Sequence, residues 1–234
     1  MRRMWKRGFG AALVAALLSA CSSDNAGGPS LPLVLAGSAK DIVTSRDRGQ
    51  LPKTVVSRAD YAKITVPLLQ VNPELRGGSD FLQRVAVRND SAPGTVEIWE
   101  SSDKAQVFLR DGIVVGSRGI GGDIIAAGAN ATLSALKRQG KGSGLREFIV
   151  SDGDVTTTKY EFRCDVENLG AERISFASQV FDTVHMQETC TVEGPEPRVV
   201  RNDYWVQQPS GFVRKSRQWM GPRVGYFELL ALKS

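Results

Sequence analysis

Alternation of apolar and polar residues dominates the second half of the chain. In Thr156–Glu167 the even positions are Tyr160, Phe162, Cys164 and Val166, and the odd ones Lys159, Glu161, Arg163, Asp165 and Glu167. Successive side chains of a strand point to opposite faces, so this period of two predicts one face on a core and one in solvent. Arg173–Val192 repeats the pattern, with Ile174, Phe176, Val180, Val184, Met186, Cys190 and Val192 on the apolar side. Asp182 breaks that side and reads as a turn or bulge.

Shorter strands are predicted at Ile64–Val71, Phe81–Arg88, Thr95–Glu100, Ala105–Arg110 and Ile113–Ser117. The last two flank Asp111-Gly112, a two-residue hairpin turn signal. Asp203–Gln208 and Phe212–Met220 flank Pro209-Ser210-Gly211, and Phe227–Leu232 reads as a final strand. Such a hairpin sets Trp205 opposite Lys215, a geometry for a cation–π pair. Asn130–Arg138 reads as a short helix ending near Gly140, followed by a loop over Lys141–Gly144. Leu31–Arg46 has the apolar spacing of a helix face, with an irregular arm as the alternative. The expected fold is mostly β: one domain of coiled, barrel-like antiparallel sheet over residues 55–234, with one or two short helices.

The amino end is of another kind. Arg2, Arg3, Lys6 and Arg7 precede an uncharged apolar stretch, Gly8–Leu18, and then Leu18-Ser19-Ala20-Cys21. A basic start, a short apolar run and small residues describe a signal peptide over residues 1–20. The run is shorter than the roughly 20 residues of a spanning helix. Leu-Ser-Ala-Cys is similar to the bacterial lipobox, which makes Cys21 the expected lipid attachment site and residues 21–54 a lipidated tether. Ser22 rather than aspartate after the cysteine favours the outer membrane. Removing residues 1–20 leaves 26 basic against 25 acidic groups, so the net charge falls from +5 to +1. A near-neutral body argues against nucleic acid as a partner.

Chemistry is sparse. His185, the chain's one histidine, lies on the polar register of its strand, and no Gly-x-Ser-x-Gly elbow accompanies it. Arg118-Gly-Ile-Gly-Gly-Asp123 lacks the residues of a dinucleotide or P-loop and reads as a tight turn. No catalytic residue, metal site or cofactor is expected. Cys164 and Cys190 share the apolar register; a disulfide is expected, with two buried thiols as the alternative. Tyr204, Trp205, Phe212, Trp219, Tyr226 and Phe227 bring six of the chain's 17 aromatics into its last seventh, interleaved with Arg214, Lys215, Arg217 and Gln218. Trp205, Lys215, Arg217, Gln218 and Trp219 are therefore candidate contacts to glycan or to a partner protein, against the alternative that the rings fill a core.

The lipobox, the stretch Arg110–Asp123, and the ending Asn202-Asp-Tyr-Trp205, Gly211–Pro222 and Gly225-Tyr-Phe227 together resemble the YjbF family of group 4 capsule lipoproteins. The resemblance implies a coiled-sheet fold and a periplasm-facing part in exopolysaccharide or capsule production. It also implies two partners, an outer-membrane β-barrel protein and a periplasmic companion, with the polysaccharide itself a further ligand. A non-enzymatic accessory is the favoured reading; a periplasmic polysaccharide-modifying enzyme and an envelope scaffold without sugar contact are the alternatives.

Overall fold

The computed structural model describes residues 51–151, 156–192 and 198–234. The expected signal peptide, Cys21 and the helix expected over Leu31–Arg46 lie outside them. The described residues form twelve strands and two helices. Helix α1 (Arg58–Lys63) precedes β1 (Leu68–Pro73), β2 (Asp80–Arg88), β3 (Val96–Glu100), β4 (Gln106–Arg110), β5 (Ile113–Arg118) and β6 (Ile124–Ala127). Helix α2 (Asn130–Arg138) then leads to β7 (Gly142–Ser151), β8 (Thr157–Phe176), β9 (Gln179–Val192), β10 (Arg198–Gln207), β11 (Phe212–Trp219) and β12 (Tyr226–Lys233).

All pairings are antiparallel, in the order β5-β4-β3-β2-β1-β12-β11-β10-β9-β8-β7-β6. First and last strands meet as β1–β12, and the sheet's two ends, β5 and β6, are consecutive in sequence. The sheet coils until these ends lie side by side, giving a nearly closed barrel. The glycine-rich turn expected at Arg118–Asp123 joins them. Its Asp123 carboxylate accepts from the backbone of Gly119 at 2.9 Å and of Ile120 at 3.1 Å. Across the seam, the Ile124 amide donates to Ser117 Oγ at 2.9 Å.

Alternation fixes which face looks inward. Phe148, Val150, Phe162, Cys164 and Cys190 join Leu69, Val71, Trp99, Leu109 and Leu229 in the main interior cluster. A second interior cluster packs Leu133, Ala135 and Leu136 of α2 on Met186, Tyr204 and Val206. Strand β1 is buried on both faces. Its outer face is covered by residues 51–66 and by the tip of the β8–β9 hairpin, with Val56, Ile64, Leu68, Ala177 and Leu230 in contact.

Four local expectations change. The predicted strand Ile64–Val71 begins only at Leu68. Ile64 instead caps α1, which Ser57 opens by accepting from the Asp60 amide at 3.1 Å. Pro67, without an N–H, precedes the first ladder position. The loop expected over Lys141–Gly144 is already β7 from Gly142. A Cβ on Gly142 would sit 2.8 Å from Ala135 Cβ, and one on Gly144 2.7 Å from Ala131 Cβ, so these glycines let α2 lie on the strand. The run Arg173–Val192 is two strands joined by Ala177-Ser178, with φ of 50° and 56°. The two-residue turn pairs even with odd positions, Phe176 with Gln179 and Ile174 with Phe181, so Val180 of the expected apolar side is exposed; the one-residue bulge between Asn168 and Gly170 then restores even-with-even pairing, which brings Cys164 opposite Cys190. Asp182 marks neither turn nor bulge; it stands exposed in β9 and bonds Arg173 at 2.8 Å.

Because the strands alternate in direction, their connections sort to two ends. Residues 74–79, 101–105, 119–123 and 220–225 lie at one end, and residues 89–95, 111–112, α2, 177–178 and 208–211 at the other. The described chain enters at the first end, where Leu51 bridges Gly77.

Candidate functional site

Strands carry polar residues into the barrel wherever their inward register is not apolar. In β9, Glu188 sits between Met186 and Cys190; in β7, Arg146 precedes Phe148 by two; in β10, Asn202 and Tyr204 follow Val200. All are buried to 3% exposure or less. Arg146 donates to Glu188 Oε2 at 2.5 Å, Asn202 Nδ2 donates to the same oxygen at 2.7 Å and the Tyr204 hydroxyl at 3.2 Å. The Thr132 hydroxyl, from α2, donates to Glu188 Oε1. Burial works against the Arg146 charge, but the adjacent Glu188 carboxylate outweighs it and holds the guanidinium pKa above its ordinary value. Burial, then Glu188, pushes the Tyr204 phenol up.

This network closes the seam. Strand β5 is an end strand, and its backbone needs partners on the open side. Side chains supply them: Arg146 donates to Val114 O at 2.9 Å and to Gly128 O, just past β6, at 2.7 Å. Gln218 of β11 accepts from the Val114 amide at 2.8 Å and donates to Gly112 O at 2.8 Å. The guanidinium and the amide thus stand where a ladder of backbone bonds would otherwise run. Every polar group in the network is committed to another, and water has no access.

Among the described residues, a cavity of about 530 Å³ that can receive a ligand opens between α2 and the turns at residues 111–112 and 208–211. Leu69, Trp99, Leu109, Leu133, Leu136 and Leu229 form much of its wall. At the rim Lys137 pairs with Asp111 at 3.0 Å. Glu97 pairs with Arg84 at 2.5 Å. Gly112, with φ of 87°, makes the Asp-Gly turn beside it, and a Cβ there would lie 2.6 Å from Val213 Cβ. Trp99 Nε1 is enclosed without a hydrogen-bond partner.

The residues singled out from sequence divide between the two faces of the sheet. Lys215 and Arg217 face outward on β11, as does Trp205 on β10. The expected pairing is present: Trp205 is opposite Lys215, whose Nζ is 4.5 Å from the ring centroid. His185, opposite Trp205 on β9, stacks on it at 4.5 Å and 11°. Strand β10 lies between β9 and β11, so the two neighbours take opposite faces of the indole, which leaves no face for a sugar ring. Arg217 is held by Glu74 through two bonds of 2.7 Å and lies over Tyr226 at 3.7 Å. Gln218 and Trp219 are corrected from surface contacts to interior residues, 1% and 5% exposed. Gln218 takes the inward register of β11 and serves the seam. Trp219 packs edge-on against Phe148, Phe162 and Tyr160 at 5.3–5.8 Å. Cys164 and Cys190, direct partners across β8 and β9, are bonded to each other in the core. His185 is held between Glu172 at 3.1 Å and Asp203 at 2.9 Å on the outer face. Sequence reasoning missed Arg146, Glu188 and the cavity. For the first two the signal was present: a charged residue occupying the inward parity of an alternating strand.

Comparison with known proteins agrees with this architecture. The hypothetical lipoprotein YmcC from Escherichia coli K12 superposes with a TM-score of 0.66 at 17% identity, over 89% of this chain and 98% of that one, a likeness of fold. A chain from Parabacteroides distasonis ATCC 8503 aligns over 72% of this chain and 95% of its own at 14% identity, with a TM-score of only 0.29. No curated protein matches the sequence. The sequence profile described as group 4 capsule polysaccharide lipoprotein gfcB, YjbF, matches residues 36–232, and the chain belongs to that family.

Proposed function

We propose that this chain is a non-catalytic accessory of capsule polysaccharide production, held to the outer membrane by lipid on Cys21, with its barrel in the periplasm. It acts by binding rather than by altering a bond. The observation that carries this reading is the cavity. Its wall is mostly apolar and its rim carboxylates, Asp111 and Glu97, are each engaged by a cation. Such a site has the shape and chemistry of small-molecule binding pockets, and the acid and base at its rim, Asp111 and Lys137, are paired with each other. The partners we assign are an outer-membrane β-barrel exporter and a periplasmic companion.

The test is genetic and quantitative. Deleting the gene lowers surface and secreted polysaccharide several-fold, the wild-type gene restores it, and Cys21→Ala does not. Polymer yield unchanged by the deletion under capsule-inducing conditions overturns the reading.

A further inference from the structure

We propose that the cavity holds a hydrocarbon chain whose uncharged or zwitterionic head sits at the rim between Lys137 and Ser210. This rests on the binding reading above and names its ligand class. Leucines from four elements, β1, β4, α2 and β12, converge on the space, with Trp99 and Phe212 as the aromatic parts of the wall. The charged groups at the boundary are already engaged, and the one enclosed donor left over there among the described residues is the Trp99 indole N–H. Asp111 is bonded to Lys137 and to the Thr95 amide, Glu97 to Arg84, and Ser216 accepts from Gln218.

Two other occupants fail on that wall. A saccharide pushed into the cavity would bring several hydroxyls away from water, each needing a partner the leucines cannot offer. A charged head at the rim would meet only cations and anions that are paired with each other. A hydrocarbon needs no partner, and its burial is favourable in proportion to the apolar area removed from water. The volume, about 530 Å³, lies inside the roughly 300–1,000 Å³ range of small-molecule sites. Barrels of this general kind hold single ligands in the interior. Two sources share this chemistry, the straight acyl chain of a zwitterionic membrane lipid and the branched chain of an uncharged isoprenoid.

The chain bearing Cys21→Ser, which has no acylation site, is titrated with n-dodecyl-β-maltoside below its micelle concentration, with farnesol, and with maltose. The readouts are tryptophan fluorescence, assigned by its loss in Trp99→Phe, and native mass spectrometry. A saturable signal with one molecule bound per chain is expected for at least one of the two hydrocarbon probes and not for maltose. A preference for the straight or the branched probe identifies the source. Ala231→Phe, which puts a ring into the floor, is expected to weaken binding at least tenfold; Ala231→Leu is the milder filler if the first does not fold. Maltose binding as well as its dodecyl glycoside, no binding of either hydrocarbon, or binding unaffected by the folded filler overturns the proposal. These results leave the accessory reading standing if deletion still lowers polymer, whereas an unaffected polymer yield removes that reading whatever the probes do.

Discussion

Replacing Arg146 by methionine removes three things at once: the partner of the Glu188 carboxylate and the donors to Val114 O and Gly128 O. Leaving a buried carboxylate without its cation costs about 3–5 kcal/mol. Each orphaned carbonyl adds about 1–3 kcal/mol. Arg146→Met is therefore expected to lose about 5–11 kcal/mol, comparable with the whole stability of a typical domain. Glu188→Leu strands the guanidinium but keeps the seam bonds, and costs about 3–5 kcal/mol. The double variant separates the two roles. A buried ion pair exchanged for apolar residues of similar size is often neutral or stabilising. Here the two carbonyls remain unpaired and Thr132, Asn202 and Tyr204 lose their acceptor, so Arg146→Met/Glu188→Leu keeps a deficit of at least about 2–6 kcal/mol. Urea unfolding followed by circular dichroism reads all three, provided that the m-value is unchanged. A double variant as stable as the parent refutes the claim that Arg146 closes the barrel.

Three further outcomes follow from the same geometry. Removing the disulfide with Cys164→Ala/Cys190→Ala, which reopens a sequence separation of 26 residues, should lower stability by about 3.5 kcal/mol in the chain-entropy model; an unchanged urea midpoint counts against a constraint on the unfolded chain. Gly112→Ala forces a side chain onto Val213 at a positive φ and should cost about 2–4 kcal/mol from strain and overpacking, read as a fall in the melting temperature. Burial alone raises the Glu228 pKa, but bonds from Lys53 and Asn72 and the charge of Lys215 outweigh it and bring the group from 4.5 down to about 2. A folded value below the unfolded one stabilises the fold above pH 4.5, and that stabilisation is lost as pH falls from 4.5 towards 2. It is worth up to about 3 kcal/mol, so Glu228→Gln should flatten the stability–pH curve in that window and leave a steep curve only if the assignment is wrong.

Much of the sheet was legible because strand parity is a local property. Away from the β8 bulge the registers of β8 and β9 follow from counting even residues, whereas the Trp205–Lys215 pair needs both the 208–211 turn and a bulge between Trp205 and Val206 that no local pattern announces. The interior was less legible where alternation and residue type disagree. Glu188 and Arg146 stand in apolar registers, and only the fold shows that residues 42 positions apart meet. Gln218 reaches Val114 across 104 residues, a contact no local pattern encodes. Trp219 misled because aromatic rings near arginines look alike whether they line a groove or a core; it turned inward to join three other rings. The cavity was illegible for a related reason. Its wall comes from strands at both ends of the sequence and from a helix between them, and an aliphatic residue beside an empty space reads the same as one beside a neighbour.

The side-chain seam has a consequence for how the chain matures. In chain order β1–β5 come first, and by themselves they form a meander with both flanks bare. Strand β1 waits for β12, made last, and β5 waits for Arg146 and then Gln218 to arrive from later strands. A chain cut short by its terminal strand leaves β1 without its backbone partner, an exposed template for aggregation.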